Sequence, residues 1–110
     1  MSVTHLFAGI PVSDYDAAVA WYERLLGRPP DVFPHESEAM WHLGPAGSVY
    51  VVADAARAGD SLVTLAVDDL EERVAGLAAI EPGPGGMPTA VVEDPSGNLV
   101  KVFQDPGTGA

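Results

Sequence analysis

Residues 94–102, Asp94-Pro95-Ser96-Gly97-Asn98-Leu99-Val100-Lys101-Val102, read as a Pro-Gly turn that feeds an apolar strand. The same syntax occurs about 50 residues earlier, in Gly44-Pro45-Ala46-Gly47-Ser48-Val49-Tyr50-Val51-Val52. Self-similarity at such a spacing means that the chain is built from one supersecondary unit used twice. A second matching pair lies upstream of each turn. Ile10-Pro11-Val12-Ser13-Asp14-Tyr15-Asp16 and Leu65-Ala66-Val67-Asp68-Asp69-Leu70-Glu71 each run from an apolar stretch through a polar pair into a helical pattern.

In the first helix Tyr15, Ala18, Val19, Tyr22, Leu25 and Leu26 fall on one face. Asp14 is placed to cap its start, and Gly27 with Pro29 and Pro30 to stop it. In the second, Leu70, Val74 and Leu77 form the stripe, Asp68 or Asp69 is the cap, and Glu71 and Glu72 suit the positive end of the helix dipole. The pattern predicts strand 3–12, helix 14–26 and strands near 31–36, 39–43 and 48–53. It then predicts strand 61–67, helix 69–80 and strands near 87–93 and 98–104. The second copy is expected to have lost or blurred its first short strand. The expected organisation is one domain over 1–110, with a first βαβββ module at 1–54 and a second at 60–106. The short link between them implies intimate packing of the halves.

Composition narrows the partners. Apolar residues make up 47% of the 110-residue chain, ample for a packed core. Sixteen acidic residues against five basic ones give a formal charge of −11, which repels nucleic acid and anionic membrane surfaces. No apolar run approaches the roughly 18 residues of a membrane-spanning helix. Residues 1–5 lack the basic region and apolar stretch of a secretory leader, so none is expected. With no cysteine, disulfides and thiolate chemistry are excluded, and a reducing, cytoplasmic setting is expected.

A repeated βαβββ unit ending in Asp94-Pro95-Ser96-Gly97-Asn98, with Val67-Asp68-Asp69-Leu70 and Val12-Ser13-Asp14 leading to Trp21-Tyr22 and Leu26-Gly27, resembles the vicinal oxygen chelate superfamily. That superfamily includes glyoxalase I, extradiol dioxygenases, fosfomycin-resistance enzymes and bleomycin-resistance proteins. The resemblance implies an α+β fold of two tandem βαβββ modules forming a curved-sheet barrel, and a homodimer. A ferredoxin-like αβ barrel of this length is the competing fold, but it does not explain the repeated turn.

In metal-using relatives four side chains, on the first and last strand of each module, hold a divalent ion. Counting from Asp14 and Asp69, the resemblance puts those positions at Phe7, Leu62, Val51 and Lys101. Phe, Leu and Val lack donor atoms and a lysine ammonium repels a cation, so no metal and no cofactor are expected. His5, on the same strand face as Phe7, would need His35, Glu36 or His42 beside it to make a metal site.

The candidate ligand-binding residues are Phe7, Gly9, Phe33, Trp41, Tyr50, Leu62, Thr64, Lys101 and Phe103. Aromatic walls suit a planar or hydrophobic small molecule. Lys101, the single lysine, sits between Leu99 and Phe103 and is a candidate anchor for a ligand oxygen; its other role would be a structural ion pair. Trp41 and His42 must point to opposite faces of their strand, with Trp41 expected as a core or cavity wall. Three functions remain open. The chain could bind, and sequester, a drug-like molecule in a metal-free cavity. It could be a metal-independent lyase or isomerase using Lys101, His5 or His42 as acid–base group. It could be a vestigial dimeric interaction module whose cavity is filled by its own side chains.

Overall fold

In the computed structural model, which describes residues 2–107, two four-stranded mixed sheets repeat one topology. The first holds β1 (Leu6–Val12), β2 (Val32–His35), β3 (Glu38–His42) and β4 (Gly47–Ala53), in the order β1-β4-β3-β2. The second holds β5 (Leu62–Val67), β6 (Glu81–Pro82), β7 (Pro88–Glu93) and β8 (Leu99–Gln104), in the order β5-β8-β7-β6. The outer strand β1 runs parallel to β4, and β5 parallel to β8, which requires the helical crossovers α1 (Tyr15–Leu26) and α2 (Leu70–Val74). The fold is the expected α+β pair of βαβββ modules. Among the described residues the two sheets do not pair with each other to close a barrel.

Helix α1 follows its sequence signals. Asp14 accepts a hydrogen bond from Ala17 N at 3.1 Å, and Gly27 ends the helix in the left-handed region with φ 80°. Helix α2 is much shorter than the predicted 69–80. Ala75 leaves helical geometry and Gly76 turns the chain at φ 77°. The freed carbonyls of Arg73 and Ala75 are taken by Arg24 of α1, a tertiary cap invisible to local periodicity. At the other end Asp69 holds the N-cap position, but its carboxylate pairs with Arg73 at 3.0 Å. The Leu70 N–H is instead satisfied by Gln104 Oε1 at 3.1 Å. The second module keeps its first short strand only as the two-residue β6.

One face of each sheet is covered by helices. Ile10, Val12, Tyr22, Leu25, Trp41, Val49 and Val51 of the first module merge with Leu70, Val74, Ala90, Val92, Val100 and Val102 of the second in one core. The turn that carries the repeat signature stitches the modules together. Asn98 is fully buried and uses every polar position. Its Oδ1 accepts from Gly59 N (2.9 Å) and Ser61 N (3.0 Å), while Nδ2 donates to Pro11 O (2.8 Å) and Asp94 Oδ2 (3.0 Å). Asp94 also accepts from the backbone N–H groups of Ser96 and Asn98 and from the Tyr22 hydroxyl. Ser96 Oγ accepts from Ser13 N at 2.9 Å. Pro11, Ser13 and Tyr22 belong to the first module, so the turn is an intermodule clamp.

Candidate functional site

The opposite sheet faces carry no helix, and the strand registers say which residues they present. In the second sheet Thr64 pairs with Lys101 and Ala66 with Phe103, while Thr89 and Val91 of β7 sit across from Phe103 and Lys101. Cross-strand partners share a face. Thr64, Lys101 and Phe103 therefore converge, and together with Pro84, Met87 and Thr89 they line a pocket of about 280 Å³. The Pro82–Gly86 segment supplies the Pro84 wall through a single 3₁₀ turn, Pro84–Gly86. Leu62 lies on the same face, 65% exposed, outside the pocket.

In the first sheet Phe7 pairs with Ser48 and Gly9 with Tyr50, and Met40 and His42 lie across β4 from Tyr50 and Ser48. The Tyr50 ring lies directly over Gly9: a Cβ added there would meet it at 2.5 Å. Glycine is required for this close approach. Phe7 is 55% exposed, and Phe33 on β2 is exposed as well.

Of the two places expected for Trp41, core or cavity wall, it takes the core and not this open face. It points into the core, fully buried, with its indole N–H donating to Arg28 O at 3.0 Å. Val51 is likewise buried, paired with Ile10 beneath the helices. The repeat offset of about 50 equates Val51 with Lys101, but the strand registers put the equivalent residues 51 apart, and a one-residue shift exchanges the two faces of a strand. Tyr50 takes the place assigned to Val51, because Gly9↔Tyr50 in one module repeats Thr64↔Lys101 in the other.

The four positions at which the resemblance expects a divalent ion's ligands carry Phe7, Tyr50, Leu62 and Lys101 once the strand registers are applied. This donor set does not fit such an ion. Two members are hydrocarbon, one is an ammonium, and a single phenol cannot hold a metal alone. Among the described residues no three His, Asp or Glu side chains are grouped to bind one.

The candidate acid–base groups divide between the sheets. Lys101 belongs to the second. His5 and His42 meet on the first, where His5 Nε2 lies 2.8 Å and His42 Nδ1 2.9 Å from Ser48 Oγ. A hydroxyl has one proton and two lone pairs, so at least one of these ring nitrogens must carry a proton and donate it. Nothing local in the sequence singles out Ser48. Its partner His5 is 43 positions away, and only the β1–β4 pairing brings them together. His5 also stacks against Phe7, with ring centroids 4.5 Å apart. His35 is engaged elsewhere, 3.1 Å from Glu38.

Lys101 is half-buried, and among the described residues no acidic oxygen comes within ion-pairing distance of it. The structural ion pair considered for it is not formed. A larger open groove of about 720 Å³ runs between the modules past Gly27, Leu43 and Asp68. Its rim carboxylates Asp68, Asp69 and Asp105 are accompanied by Arg73, already paired with Asp69, which leaves a solvated acidic cleft.

Comparison with known proteins agrees with this anatomy. No protein-family model and no curated protein sequence matches the chain. Solved structures do. A glyoxalase/bleomycin resistance protein from Catenulispora acidiphila DSM 44928 is 36% identical, with TM-score 0.83, over 93% of this chain and 98% of that one. A bleomycin-binding protein solved with bleomycin is 23% identical, with TM-score 0.66, over 96% of this chain and 99% of the other. A lactoylglutathione lyase from Agrobacterium tumefaciens is 19% identical, with TM-score 0.69, over 90% and 91%. The last two share the fold; the first shares enough sequence to place the chain. It belongs to the glyoxalase/bleomycin-resistance family of the vicinal oxygen chelate superfamily, as a member without the metal ligands.

Proposed function

We propose that the chain binds a small hydrophobic or aromatic molecule without a metal, in the manner of a sequestering protein. The observation that carries this reading is the convergence of Thr64, Lys101 and Phe103 on a pocket of about 280 Å³. Binding needs shape and apolar surface, and it needs no reactive group. The existence of a bleomycin-binding protein with this fold supports sequestration as a use of the scaffold.

A second copy of the chain completes the proposal. Phe7, Val32, Leu62, Val91 and Leu99 are exposed on the helix-free faces of the two sheets, an unusual amount of apolar surface for a small monomer. A homodimer would cover these faces and join the half-sites of different modules. The lack of cysteine suits a cytoplasmic location.

The test is calorimetric and thermal-shift titration with planar aromatic compounds and bleomycin, alongside sedimentation velocity. Binding to the folded state raises Tm by mass action. Saturable binding lost on Phe103→Ala, in a dimeric protein, is the expected result. A dimer that binds none of them would leave the interaction-module reading, and a monomer that binds none would overturn that reading as well.

One observation favours a second reading, metal-independent acid–base catalysis: His5 and His42 share the Ser48 hydroxyl. Turnover of a small carbonyl substrate that disappears in His42→Gln would support it over pure binding.

A further inference from the structure

The Lys101 pocket has an unusual charge balance for so acidic a chain. Its walls are Pro84, Met87 and Phe103, and its polar groups are Lys101 and two threonine hydroxyls. The Thr89 hydroxyl donates its proton to Met87 O at 2.9 Å, so it is not free to donate to a ligand. A lysine ammonium has three donors and no acceptor. None of the sixteen acidic side chains is paired with it among the described residues. The pocket therefore presents one positive charge, a net surplus of donors and an apolar wall.

We infer that the ligand is a small organic monoanion, a carboxylate on an aromatic or branched apolar body, with the Lys101 ammonium as its counter-ion. This rests on the reading of the pocket as the ligand site. A charge pair formed against apolar walls is less screened than one in water, so the carboxylate gains there what a neutral isostere cannot. The apolar body gains by burial against Phe103 and Met87. Size sets a limit as well. At about 280 Å³ the pocket lies just under the usual range of roughly 300–1,000 Å³ for ligand sites, enough for one or two rings.

The formal charge of −11 sharpens the selection. Distant carboxylates are screened beyond about 8 Å at physiological ionic strength, and Glu81 is the single acidic side chain in the adjoining cleft that Lys101 also lines, so the ammonium can balance one negative charge and no more. A dianion would bring a second charge with no partner into the same field.

The experiment compares 2-naphthoate, 2-naphthamide and 2-naphthyl phosphate, by calorimetry and saturation-transfer NMR on the whole chain at neutral pH. Naphthoate should bind about tenfold or more tightly than the amide, and the phosphate should bind more weakly than naphthoate. Lys101→Met should weaken naphthoate by about tenfold or more and the amide by far less, so that the two probes bind alike. Because Lys101 is the single lysine, reductive methylation followed by mass spectrometry reads its accessibility in the unmodified sequence, and naphthoate should slow labelling of that residue. This second readout holds even if the variant does not fold. Equal binding of amide and carboxylate overturns the monoanion and leaves the pocket standing as a ligand site. Tighter binding of the phosphate, or naphthoate binding unchanged by Lys101→Met, also overturns it. Failure of all three probes overturns both the monoanion and the pocket.

Discussion

The Tyr22 hydroxyl donates a 2.8 Å hydrogen bond to Asp94 Oδ2 across 72 residues of sequence, tying the first helix of one module to the last turn of the other. Burial, then the hydrogen bond and negative charge of Asp94, push the Tyr22 phenol far above its ordinary value of 10. The unfolded chain releases that proton near pH 10, while the folded chain keeps it. Above that pH the folded state binds more protons, so this contribution is intact at neutral pH and is lost as pH rises past about 10. Tyr22→Phe should cost about 1–2 kcal/mol at pH 8 and flatten the alkaline fall. Urea midpoints collected between about pH 8 and 11 check both.

Asn98 should be the most sensitive polar residue. Alanine there would remove the partners of the Gly59 and Ser61 amides and of Pro11 O, and would leave Asp94 Oδ2 with the Tyr22 hydroxyl alone. The expected loss is about 3 kcal/mol or more, read by equilibrium unfolding. A variant within about 0.5 kcal/mol of the parent would show that the clamp does not hold the modules.

Gly9→Ala drives a methyl group into the Tyr50 ring. A destabilisation of about 1–3 kcal/mol is expected. Tyr50→Ala in the same chain should recover most of it, since the neighbour and not the backbone is the obstacle. A double-mutant cycle measures that coupling.

Tyr15 offers the opposite case. Its hydroxyl is buried without a hydrogen-bond partner among the described residues, and burial, then the charges of Asp16 and Glu38, raise its pKa. Tyr15→Phe should leave stability unchanged or improve it by about 1 kcal/mol, measured as a rise in Tm.

Divalent cations should have no thermal signature. Zn²⁺ or Mn²⁺ at tens of micromolar, or EDTA, should shift Tm by less than about 1 °C, because Phe7, Tyr50, Leu62 and Lys101 offer no more than one phenol oxygen to coordinate. A saturable rise with either ion would contradict the side-chain chemistry described here.

The elements most legible in the sequence were those with local punctuation. Asp14 and Gly27 bracket α1 to within one residue, and the Pro-Gly turns locate β4 and β8 equally well. Helix α2 was overextended because its stop depends on Arg24, about 50 positions upstream, as well as on Gly76. The face of β4 was misassigned for a subtler reason. The repeat aligns at an offset of 50 in sequence, but Tyr50 and Lys101 occupy equivalent register positions 51 apart. For the site, Lys101, Thr64 and Phe103 follow from strand alternation. Met87 and Thr89 join them through β7 pairing, and Ser48 finds His5 only once β1 and β4 are zipped.

The clamp exists in one copy of the duplicated turn. Where the second module has Asp94 and Asn98, the first has Gly44 and Ser48, which cannot make the same fourfold brace. Natural variation at 94 or 98 therefore risks the joint between the two halves, while variation at 44 or 48 leaves that joint alone. The signature by which such a chain is spotted in a genome thus reports how it is assembled. Novelty in what it recognises has freer room in the unbraced copy, around Ser48 and its two imidazoles.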